Sequence, residues 1–86
     1  MTDAVLLDAV KLLADDKFTT GPNWEACHDL CQAHEGEPDY DLGHALVHLI
    51  EGDISNARYW YRRAGQEQVE QDIGAEWTRI ISYLDN

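Results

Sequence analysis

The sequence predicts an all-α fold: a compact bundle of about five antiparallel helices, with residues 1–86 forming a single domain. Three observations carry this. Apolar residues recur at helical spacing in every long segment. Glycine, proline and capping residues divide those segments at short intervals. No strand-like alternation occurs anywhere, which argues against a sheet. A chain of 86 residues buries only about 60–65% of its unfolded surface. Three Trp, four Tyr and 44% hydrophobic residues suffice for a core at that size, which argues against a disordered chain.

Helix one is predicted from Asp3 to about Lys17, with Thr2 or Asp3 as its cap. Leu6, Val10, Leu13 and Phe18 form its main stripe, and Val5, Leu7 and Leu12 broaden it. A Gly-Pro loop follows, and Asn23 is read as the cap of helix two, Trp24 to Glu35. Gly36 stops that helix and Pro38 keeps it from resuming at once, so Asp39 is read as the cap of helix three. Leu42, Ala45, Leu46, Leu49 and Ile50 give helix three one apolar face. Gly52 supplies a left-handed residue to close it, and Asp53 caps helix four at once. Ile54, Ala57, Trp60, Tyr61 and Ala64 form the apolar face of helix four, and Gly65 ends it. So short a connection makes helices three and four an antiparallel hairpin. Helix five is predicted from about Glu67 to Leu84, with Val69, Ile73, Trp77, Ile80, Ile81 and Leu84 on its buried side. Gly74 inside it marks a close crossing or a kink. Helices one and five are placed on either side of the central hairpin.

Ala45, Gly52, Ala57, Tyr61 and Ala64 fall where a tetratricopeptide-type hairpin has small, turn, small, aromatic and small residues. The stretch Asp41 to Gly65 therefore resembles one such hairpin. No second copy occurs about 34 residues away. The wording HALVHLIEGD followed by NA and YWYRRAG, with the upstream Trp, His and Gln spacing, also resembles a group of small uncharacterised bacterial and fungal proteins. That resemblance implies a compact helical fold and no assigned activity.

The formal net charge is −11, from 17 acidic and six basic residues. Such a surface argues against nucleic acid, whose binding depends on neutralising phosphates, and disfavours anionic membranes. No segment approaches the ~20 apolar residues of a membrane span. The amino terminus carries acidic residues where a signal peptide needs basic ones, so the expected location is cytoplasmic. Cys27 and Cys31, four apart on helix two, point along one face and are read as reduced and buried.

Asp41, His44, His48 and Glu51 form a stripe along helix three at the border of its apolar face. His44 and His48 lie on adjacent turns, able to share one metal ion, and Glu51 is a candidate third ligand. Helix two adds Glu25 and His28, a pairing used by carboxylate-bridged metals in helical bundles. Convergence of His28, His44, His48, Glu25 and Glu51 would suit zinc, manganese or iron. The structural alternative is that these histidines only donate to carbonyls or neighbouring carboxylates. Trp24, His28 and Gln32 stack at i, i+4 and i+8, lining either a pocket or a helix contact. Arg58 and Arg62, one turn apart, are read as partners of internal acids, or as holders of an anionic group. Asn56 belongs first to the cap of helix four and alternatively reaches a helix-three histidine. The candidate pocket thus comprises Trp24, His28, Gln32, His44, His48, Glu51, Asn56 and Arg62. Two functions follow as expectations. The leading one is a non-enzymatic interaction or accessory module with a protein partner, or a homodimer through the apolar residues of helix one, and with no cofactor. The alternative is a small metal-binding protein or metalloenzyme using His28, His44, His48 and Glu51 with a divalent metal.

Overall fold

A computed structural model describes residues 4–86. The caps assigned to Thr2 and Asp3 lie outside the described residues. Five helices occur among them: α1 (Ala4–Leu12), α2 (Pro22–Ala33), α3 (Pro38–Glu51), α4 (Ile54–Arg63) and α5 (Ile73–Leu84). None is long and apolar enough to cross a membrane.

Several boundaries differ from the periodic reading, each for a local reason. α1 ends at Leu12, short of Lys17. Asp15 and Asp16 carry the wrong charge for a helix C-terminus. Asp16 turns its carboxylate to the Asn23 amide (3.0 Å) at the start of α2. The chain reverses through Lys17 and Phe18, both at positive φ, and the Phe18 amide donates to the Leu13 carbonyl at 3.1 Å. Asn23 is not the cap of α2: Gly21 holds that position, Pro22 opens the helix, and Asp16 satisfies the amide from outside. Likewise Pro38 is the first residue of α3, Glu37 its N-cap, and Asp39 lies within the first turn. Proline suits a first turn because its missing N–H would have no helical partner there. Asp41 is buried, and its carboxylate accepts from the Gly36 amide at 3.1 Å.

The α3–α4 turn forms as the spacing predicts. Gly52 is left-handed (φ 85°), and the Asp53 carboxylate accepts from the Asn56 amide at 3.4 Å. Ile54, however, faces outward at 44% exposure. The largest boundary error is at α5, which starts at Ile73 rather than Glu67. Asp72 caps it, accepting from the Ala75 amide at 2.9 Å. Gly74 is therefore in the first turn and marks no kink. Val69, assigned to the core, is 62% exposed in the preceding segment.

α3 is the centre of the molecule, since each of the other four helices packs on it. Residues 40–49 are buried without interruption. Gly43 permits this crowding: a Cβ there would stand 2.9 Å from Cys31 Sγ and 3.3 Å from Leu6 Cδ1. Cys27 and Cys31 are free and fully buried on α2, and the Cys31 thiol is raised by its hydrogen bond with Cys27 and by burial. Two indoles tie helices together through backbone carbonyls. Trp24 Nε1 donates to Val47 O (2.7 Å), joining α2 to α3. Trp77 Nε1 donates to Val10 O (2.8 Å), joining α5 to α1. α1 and α5 therefore pack on each other as well as on α3, and do not flank the hairpin from opposite sides. The radius of gyration is 11.1 Å, against about 12 Å typical of this chain length, so little space is left unfilled.

Candidate metal centre

His44 and His48 project from α3 one turn apart, and both are buried. α2, drawn against α3 over Gly43, brings His28 to the same place. The His28 ring stands edge-on to His44 (5.0 Å between centroids) and to His48 (5.3 Å), while His44 and His48 stack at 4.8 Å. One ring nitrogen from each lies within 4.8 Å of the others. His28 is the most accessible of the three, so the cluster meets solvent on the α2 side.

Two tryptophans form its walls. Trp24 stacks on His28 at 5.1 Å with the planes 6° apart, and its bond to Val47 fixes the indole. Trp60 of α4 stacks on His44 at 3.9 Å and 12°. Tyr59 meets Trp60 edge-on, and the Arg63 guanidinium lies 5.4 Å from the Trp60 ring centre.

The electrostatics favour a neutral imidazole at His44. Burial, then proximity to His48 and His28, pushes the His44 pKa down from 6.5 to about 4. His44 Nδ1 is buried and has no hydrogen-bond partner among the described residues. A buried polar atom left unpaired costs about 1–3 kcal/mol and calls for an explanation. His48 is oriented: Nδ1–H donates to Glu51 Oε2 at 2.6 Å, which makes Nε2 the ring nitrogen left to act as a ligand. His28 has a longer contact, 3.5 Å from Nδ1 to Asp29 Oδ1.

The site is thus narrower than the residues proposed from sequence. His28, His44 and His48 come together, with Trp24 against them. Glu51 is the carboxylate partner of His48 rather than a member of the three-histidine group; with His48 and Asp53 it forms a second, more exposed set of donor atoms. Glu25 and Gln32 lie on the exposed side of α2 and belong to neither set. Asn56 Nδ2 donates to Asp53 Oδ2 at 3.3 Å and does not turn to a histidine. Arg62 lines a separate groove with Arg58. The expected internal ion pairs of Arg58 and Arg62 do not form: neither side chain has a hydrogen bond or ion pair among the described residues.

Sequence reading misses one participant, Trp60, and one buried acid outside the centre, Glu76. The spacing places Trp60 in the core alone, although it is the ring stacked on His44. Glu76 was not singled out, yet it is fully buried and accepts from Tyr61 Oη (2.6 Å), both Arg79 nitrogens Nε and Nη2 (2.9 and 2.8 Å) and the amides of Val69 and Glu70. Its signal was available: an acid three residues after Ile73 and four before Ile80 stands in the apolar stripe of α5. In comparisons with known proteins, no family model, curated sequence or solved structure matches this chain.

Proposed function

We propose that this chain binds a divalent transition-metal ion through His28, His44 and His48. Support comes from the convergence of three ring nitrogens from two helices within 4.8 Å, one of the rings carrying a buried nitrogen with no protein partner. Tetrahedral zinc, with nitrogens at about 2.0–2.1 Å, places its ligands roughly 3.3 Å apart. Three imidazoles with a carboxylate on one of them match the donor set of zinc centres that keep a fourth position for an exogenous ligand. Trp24 and Trp60 would give that position apolar walls.

The test is metal content of untagged protein, with His44→Ala and His48→Ala beside the parent. The expected result is near-stoichiometric metal in the parent, its loss in both variants, and a rise in melting temperature on adding zinc to the stripped parent alone. Absence of metal together with an unchanged melting temperature on adding zinc, manganese or iron would overturn the reading.

A second reading, self-association through α1, is supported by Val5 and Leu12. These are 60% and 45% exposed and seven residues apart, hence on one stripe. Sedimentation equilibrium at high concentration checks it: a monomer throughout removes this reading and leaves the metal centre untouched.

A further inference from the structure

We propose that Arg58 and Arg62 form a recognition site for a small organic anion, one bearing a carboxylate or phosphate group, in the groove between α4 and residues 66–71. The inference is independent of the metal centre, which lies on the Trp60 side of α4.

The starting point is charge. The chain has 17 acidic residues to choose from, and only six basic ones. Arg79 is committed to Glu76, and Arg63 to the Tyr59 hydroxyl at 3.0 Å. Arg58 and Arg62 alone among the arginines have no hydrogen-bonded or ionic partner among the described residues. They sit one turn apart on one face of α4, so two like charges lie side by side with no direct ionic partner among the described residues. In so acidic a chain the pair makes a local basic patch, set on the wall of a groove. A bound anion relieves it, and two adjacent guanidinium forks fit the planar or tetrahedral oxygens of a carboxylate or phosphate.

Both arginines open onto a groove of about 430 Å³. That volume suits a small molecule. Its far wall is held in place before any ligand arrives. The Glu76 carboxylate accepts from the amides of Val69 and Glu70, and Arg79 donates to Gln66 Oε1 and to the Glu67 carbonyl. The amides on that wall are therefore defined in role. Gln66 has its oxygen occupied by Arg79, leaving its NH₂ group as a donor. Gln68 donates its NH₂ to the Glu70 carbonyl at 2.7 Å, leaving its oxygen as an acceptor. Gln71 lines the groove as a third amide, and Tyr61 closes its base, its hydroxyl already given to Glu76. Glu67 contributes one negative charge, so the lining carries a net charge of about +1 from two arginines and one glutamate. This selects a singly charged acid with a polar, hydrogen-bonding body over a polyanion.

The experiment titrates ¹⁵N-labelled protein with lactate and, separately, with inorganic phosphate, against sodium chloride at matched ionic strength. Amide and arginine side-chain resonances are followed. The expected result is saturable shifts confined to α4 and residues 66–71, with a dissociation constant of about 10 mM or tighter for at least one anion. Which probe saturates identifies the head group. In the doubly substituted Arg58→Gln/Arg62→Gln protein, affinity falls by about tenfold or more. Both residues are exposed, so this variant keeps its melting temperature, and an unchanged spectrum elsewhere certifies the fold. The proposal is overturned if neither anion gives shifts beyond those of chloride, or if the double variant binds as tightly as the parent.

Discussion

Glu76 is an acid with no exposed surface, and its ionised state is held by donors rather than by water. Burial alone would raise its pKa. The hydrogen bonds from Arg79, Tyr61 and the Glu70 amide outweigh burial and bring it down from 4.5 to about 2. The sign of the pH effect follows. Between pH 4.5 and about 2 the unfolded chain binds a proton at this position that the folded chain does not, so stability rises with pH across that window and is lost on acidification through it. A shift of this size corresponds to roughly 3 kcal/mol. Glu76→Gln is therefore expected to lose a few kcal/mol at pH 7 and to flatten the acid limb below pH 4.5, as read by urea denaturation across pH. At the metal centre the matching residue is Glu51. It touches His48 through Nδ1, so Glu51→Ala should leave the fold intact and weaken zinc binding by about 10–100-fold, measured by competition with a chelator. An unchanged affinity would mean that Glu51 does not set the His48 orientation. Sequence spacing found the histidines because two of them share a helix face. It could not assign Glu51 its role, since ligand and ligand partner have the same spacing along the chain.

At the scale of elements, helix existence was legible and helix ends were not. The apolar stripes of α3 and α4 are long enough, and their Gly52-Asp53 junction distinctive enough, that the hairpin formed as read. The ends of α1 and α5 depend on partners distant in sequence. Asp16 leaves its own helix to serve the Asn23 amide, and the amides of Val69 and Glu70 turn to the Glu76 carboxylate, six or seven residues ahead. No local propensity encodes those choices. Gly43 is the converse case, an ordinary glycine in sequence that turns out to set the α2–α3 spacing. Gly43→Ala gains about 1 kcal/mol of helix propensity and yet meets Cys31 Sγ at 2.9 Å, with Leu6 beyond it. Both neighbours are buried and have nowhere to go. The substitution is expected to destabilise by about 1–3 kcal/mol. Because Gly43 lies beneath the contact that carries His28, zinc affinity should fall with it. A denaturation midpoint at or above that of the parent would refute the packing role.

At the scale of the whole molecule, an acidic surface surrounds a core gathered about one helix, and the basic groups occupy separate places within it. Composition argues against a nucleic-acid partner, but it could not say that Arg58 and Arg62 stay unpaired, because pairing depends on which acids the fold brings near. α3 has ten consecutive buried residues and neighbours on all sides, whereas α1 keeps Val5 and Leu12 in water. Local opening that spares the rest of the chain is therefore available to α1 and closed to α3. In deuterium exchange, the amides of residues 42–49 should open only with the free energy of complete unfolding, while those of α1 exchange earlier by fraying. Protection factors checked against urea stability test this, and α3 exchanging faster than the global limit would contradict it. It follows that a ligand held between His28 and the two α3 histidines would be clasped by the last part of the protein to come apart. Its escape would then be timed by the small movements of α2, the outer jaw, and not by α3.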